Sequence, residues 1–200
     1  MPFPALFVPA VIAVAALVVP VAACGTATGP SDPPAQAVVP SDRITLPDVR
    51  REFRSPSGRF AFVVSTRDGW KSLRGTGELF SIMGSVHTPL WARELPQQFG
   101  PRFVLISDLG TVLMLDEWIN VKSQYAVLLI DRNNRTVKQH DADAVQAAVQ
   151  VPANDIVRMA KHGWWVSAPP SLNSAGDAAR VETAGKILTI RLSDGQLSVA

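Results

Sequence analysis

Cysteine is almost absent from this chain of 200 residues: Cys24 stands alone, so no internal disulfide can support the fold. Charge is also sparse. Asp, Glu, Lys and Arg make up 18% of the chain, and none falls within the first 23 residues. The net charge is only +2, and no clustered basic face of the kind that grips nucleic-acid phosphates is present, so nucleic acid is not an expected partner. The one arginine-rich stretch, Arg43, Arg50, Arg51, Arg54 and Arg59, is broken by Asp48 and Glu52. It reads as a solvated strand face rather than an anionic-partner surface. The three histidines, His87, His140 and His162, are scattered without metal-ligand spacing. No G-x-S-x-G elbow, nucleotide-binding glycine loop or haem motif occurs. These absences point away from an enzyme and imply neither metal nor cofactor. A sizeable apolar core must hold the protein together, and about 177 residues from Cys24 onward are enough to bury one.

What is present begins with the leader. Residues 3–23, FPALFVPAVIAVAALVVPVAA, are apolar throughout. A transmembrane helix, a signal peptide and a core helix all fit that length. Pro4, Pro9 and Pro20 disfavour one uninterrupted helix. The ending Val21-Ala22-Ala23-Cys24 resembles the lipobox of bacterial lipoproteins. The resemblance implies cleavage after residue 23 and a diacylglycerol on the Cys24 thiol. It also implies an extracytoplasmic, membrane-anchored protein of the cell envelope. The leader departs from the family pattern in lacking a Lys or Arg near Met1. Acyl chains contribute about 0.8 kcal/mol per buried CH₂, so several of them anchor firmly.

Residues 24–42 are rich in Pro, Ser, Thr, Gly and Ala and show no apolar periodicity. Such a stretch cannot bury enough surface to offset its ordering entropy. It is expected to act as a spacer of up to about 50 Å when extended. The globular part is then 43–200.

Within it, Phe103–Ile106, Val112–Leu115 and Ala126–Ile130 are short apolar runs separated by turn signals, and they predict strands. Ser55-Pro56-Ser57-Gly58 before Phe60–Val64 has the layout of Ser107-Asp108-Leu109-Gly110 before Val112. Asn173–Gly176 before Ala178–Val181 is a third copy. A hairpin is expected after each: Glu78–Ile82 with Leu90–Glu94, Ala126–Asp131 with Thr136–His140, and Ile187–Arg191 with Gln196–Val199. The tip of the first, Met83–Pro89, reads as a long loop.

A repeat of about 45–50 residues with four short strands has the spacing of propeller blades. SPSGRFAFVV and ELFSI resemble blades of TolB-like and WD40-like propellers, with Ser57 where that family has Asp. The fold expected is mostly β, with antiparallel sheets forming about three partial propeller-like blades. A β-sandwich, or a protomer completed by another chain, is the alternative. Residues 141–163 predict a two-helix insert: Asp141 or Asp143 as cap, Val145, Ala148 and Val149 as apolar face, Pro152 opening the second helix and Gly163 ending it. Its expected place is over a strand edge.

Candidate functional residues are few. Asp108, Asp116, Glu117 and Asp131 lie near strand ends, where they could hold a cation, and Asp108, Asp116 or Glu117 could serve a hydrolase or enzyme subunit acting on envelope polymers. Turn chemistry already accounts for Asp108 and Asp131. Aromatic residues are enriched at binding surfaces, so Trp118 and one of Trp164 and Trp165 are the candidates for a recognition patch, whereas Trp91 belongs in the core. The functional expectation is a non-enzymatic binding or assembly module for an envelope protein or glycan.

Overall fold

The computed structural model describes residues 45–199. The leader, Cys24 and the spacer lie outside the described residues. Three four-stranded antiparallel sheets follow one another along the chain. The first holds β1 (Arg50–Arg54), β2 (Phe60–Ser65), β3 (Arg74–Met83) and β4 (Val86–Gln98). The second holds β5 (Pro101–Ile106), β6 (Val112–Glu117), β7 (Val127–Ile130) and β8 (Thr136–His140). After helices α1 (Ala142–Val149) and α2 (Ala153–Met159), the third sheet holds β9 (Ser171–Leu172), β10 (Ala178–Thr183), β11 (Lys186–Arg191) and β12 (Leu197–Val199). Each sheet pairs its strands in sequence order. The mostly-β fold of three antiparallel four-stranded sheets with a two-helix insert is therefore what the chain adopts, and no closed barrel forms among the described residues.

Side-chain alternation explains how the sheets meet. Successive residues of a strand point to opposite faces. In the middle sheet Leu113, Leu115, Val127 and Leu129 pack against Ala179, Val181, Leu188 and Ile190 of the third sheet. Their immediate neighbours Val112, Met114, Leu128 and Ile130 pack against Phe62, Val64, Leu79 and Trp91 of the first. Every residue of β6 and β7 is consequently buried. That is why these strands read as unbroken apolar runs. The two outer sheets present only one face to a core. Opposite their buried faces they carry Arg50, Glu52, Arg54 and Glu78 at one end of the stack, and Ser171, Arg180, Glu182 and Thr189 at the other. Glu52 pairs with Arg54 at 2.7 Å and Arg50 at 3.5 Å. Exposed pairs of this kind add about 0–1 kcal/mol and mark a wetted surface.

The three turn-plus-strand units are built alike. Gly58, Gly110 and Gly176 donate to the carbonyls of Ser55, Ser107 and Asn173 at 2.9, 3.0 and 3.0 Å. The side chain of the first turn residue then accepts from the strand that follows: Ser55 Oγ from Phe60, Ser107 Oγ from Thr111, Asn173 Oδ1 from Ala178. Ser and Asn can both perform this closure.

Two expectations are corrected. The first outer hairpin has no long tip, because β3 runs to Met83 and β4 starts at Val86, with Gly84 (φ +60°) and Ser85 making the turn. A bulge between Leu79 and Phe80 carries the pairing past Pro89, which a strand at the sheet edge tolerates. The insert ends at Met159, not Gly163, because Ala160 is already extended and Lys161 and His162 turn their N–H groups to Val166 O. The rest of the insert is as expected. Asp141 accepts from Ala144 N at 2.8 Å, and α1 lies along β8 and β12, the edge strands of two sheets.

Candidate functional site

The site grows from the end of β6, where the strand leaves the core. Asp116 adopts φ +57°, an uncommon left-handed conformation for a residue other than glycine. Its carboxylate is fully buried. Oδ2 accepts from Trp164 N at 2.8 Å and Oδ1 from Glu117 N at 3.0 Å. Burial pushes its pKa up to about 6, against the opposing pull of those N–H groups and of Arg102. Gly163 (φ +77°) lets the backbone come this close, since a Cβ there would fall on Asp116 Oδ2 and within 2.9 Å of Arg102 Nε. Glu117 points elsewhere: Oε2 accepts from Gln98 N at 3.0 Å and Oε1 from Ser123 Oγ at 2.7 Å. It thereby ties the end of the first sheet to the loop after β6.

Trp118 comes next and is half-buried. Two guanidinium groups lie against its ring, Arg51 at 4.9 Å and Arg102 at 5.3 Å from the centroid. Arg51 reaches it because β1 alternates, Arg50, Glu52 and Arg54 facing out, Arg51 and Phe53 facing in. Arg51 Nη2 donates to Pro101 O at 2.8 Å. Arg102 donates from Nε to Glu117 O and from Nη2 to Trp118 O and Asn120 Oδ1. Burial lowers both arginine pKa values, that of Arg51 to about 10, and each of these cations gains an attraction from an acid, Asp48 for Arg51 and Asp116 for Arg102. The Trp118 indole N–H donates to Thr45 O at 2.7 Å, and the Trp70 indole to Pro47 O at 2.9 Å. Two indoles thus latch the segment by which the chain enters the domain. Thr45, Arg102, Trp118, Ile119, Asn120 and Val121 line a cavity of about 510 Å³.

The other candidates do not gather here. Trp165 is 1% exposed and belongs to the core shared with the third sheet, so it is the member of its pair that packs inside. Trp164 is half-buried and lines a separate cavity of about 60 Å³ beneath α1 and α2. Trp118 and Trp164 therefore form no single patch, and Asp116 is the link between them. Asp108 sits at the far end of β6, accepting from Ser57 N at 2.9 Å and Ser57 Oγ at 2.5 Å. Asp131 closes its own hairpin on Asn133 N and Arg135 N. Of the histidines, His87 is exposed, His140 meets Gly195 O at 2.8 Å, and His162 lies edge-on to Phe103. No group of three metal-ligating side chains forms among the described residues. No helix among them is long and apolar enough to cross a membrane. Arg102 and Asn120 were not singled out from sequence, and Arg51, expected with its neighbours on a solvated strand face, turns inward onto the Trp118 ring instead. For Arg51 the signal was there, in its parity with Phe53.

The chain matches no protein-family model, and no curated protein aligns with it. Fold and site together define a three-layer stack of antiparallel sheets with a cation-flanked tryptophan beside its point of chain entry.

Proposed function

We propose that this is a lipid-anchored protein of the cell envelope, held through Cys24, whose β domain is a non-enzymatic binding module. What supports binding over catalysis is the use made of the strand-end acids. Asp116 and Glu117 spend their oxygens on backbone N–H groups and Ser123, and Asp108 lies at the other end of β6. The cavity beside them is lined instead by an indole, a guanidinium and an amide, groups that recognise rather than cleave. One observation favours the second reading, an enzyme or enzyme subunit acting on envelope polymers: the raised pKa of Asp116 suits a general acid. Its full burial and two occupied oxygens stand against that role.

The anchor is tested by metabolic labelling with radioactive palmitate in wild type and Cys24→Ser. Label in the wild type that vanishes in the variant, with retention of the precursor, is the expected outcome. Equal label in both would refute the anchor.

A further inference from the structure

We propose that Asp116 is a proton-operated catch: ionised, it fastens the segment after α2 and steadies Arg102 at the Trp118 cavity, and proton uptake slackens both together. This is regulation of the cavity beside Trp118, and it depends on neither the anchor nor the identity of the ligand.

The geometry of the carboxyl carries it. Asp116 is 0% exposed and stands between elements that line two separate cavities. On one side Oδ2 accepts from Trp164 N at 2.8 Å, and Trp164 lines the cavity of about 60 Å³ beneath the helices. On the other side its charge attracts Arg102, which lines the cavity of about 510 Å³ and donates to Trp118 O and Asn120 Oδ1. The point where a Cβ of Gly163 would sit is 2.9 Å from Arg102 Nε and closer still to Asp116 Oδ2, so guanidinium and carboxyl are neighbours.

A carboxylate accepts at both oxygens, whereas a carboxylic acid turns one of them into a donor. Trp164 N and Glu117 N are both donors, so a proton sets donor against donor at one oxygen. Whichever oxygen takes it, the Trp164 N–H loses a charged acceptor and Arg102 loses the charge it faces. The other charges around the carboxyl are few. Glu117 on β6 repels it, while Arg51 on β1 acts on Arg102. Within the fastened segment His162 lies edge-on to Phe103 and Lys161 is exposed. Burial raises the Asp116 pKa to about 6, which sets the pH at which the catch lets go. The acid form gains more by shedding a buried charge than it loses in the weakened contact.

The test is a proton titration of the full mature protein, labelled with ¹⁵N and ¹³C, between about pH 4.5 and about pH 7.5. Its readouts are the Trp164 backbone amide and the Trp118 indole N–H, the latter identified by its loss in Trp118→Phe. Both should move with one midpoint, shared with the Asp116 carboxyl carbon. Exchange protection of the Trp164 amide should be roughly tenfold or more lower at the acid end once intrinsic rates are divided out. His162→Gln should leave these responses in place, and in Asp116→Asn both resonances should stay still across the range. Movement in Asp116→Asn like that of wild type would overturn the catch, and so would a still Trp164 amide in wild type. A Trp118 indole that stays still while Trp164 moves would overturn the link to the cavity. Should Asp116→Asn fail to fold, the carboxyl carbon in wild type decides: tryptophan midpoints that differ from its own would overturn the proposal.

Discussion

Leu113→Ala and Met114→Ala are each expected to lower stability by about 2–5 kcal/mol, although the residues are neighbours on one strand. In a two-layer protein only one of two adjacent strand residues faces a core, and the other tolerates truncation. Here Leu113 packs with the third sheet and the helices, Met114 packs with the first sheet, and both are 0% exposed. Each truncation leaves a hole in a different core, so the two losses should be close to additive. Set against a typical total of about 5–15 kcal/mol, the double variant should be largely unfolded at room temperature. Thr189→Ala, at an outward position of the third sheet, should change stability by about 0.5 kcal/mol or less. Urea unfolding followed by tryptophan fluorescence measures the four variants against wild type. A silent Leu113→Ala or Met114→Ala would mean that the middle sheet has a wet face.

The second large effect concerns pH. Asp116 has its pKa raised from 3.8 to about 6 in the fold. The folded state then holds this proton more tightly than the unfolded chain. The contribution is fully present below about pH 4 and is lost as pH rises through about 6. It amounts to at most about 3 kcal/mol. Asp116→Asn removes the titration while keeping one acceptor for Trp164 N or Glu117 N. The stability of wild type minus that of the variant should therefore fall between pH 4 and pH 7. Exposed acids with lowered pKa values, Asp68 and Asp194 among them, push the other way in both proteins and cancel in the difference. A difference that is flat, or that rises with pH, would show that Asp116 is not buried against its neighbours as described.

Much of the fold was legible from local chemistry. Ser55, Ser107 and Asn173, each with glycine three residues on, mark the turns because a side-chain acceptor and a positive φ are both needed at close quarters. The apolar runs of β6 and β7 mark strands buried on both faces. The length of the β3–β4 hairpin was hidden because Pro89 reads as a breaker, and only the bulge at Leu79 and Phe80 lets pairing continue past it. The site was harder to read. Trp118 could be nominated for its loop position, but its partners Arg51 and Arg102 lie on different sheets. Nothing in the sequence brings β1 and β5 together before the sheets stack. Trp164 and Trp165 show the limit of composition: the adjacent pair could be divided into one inner and one outer residue, but which was which depended on how Asp116 captures Trp164 N.

Native-state hydrogen exchange on the intact protein tests the stacked arrangement most directly, because it reports each strand separately. The amides of β6 and β7 should exchange only through global unfolding, more slowly than those of β1, β4 and β12 at the sheet edges. Exchange of β6 and β7 as fast as that of the edge strands would contradict a middle sheet shared by two cores.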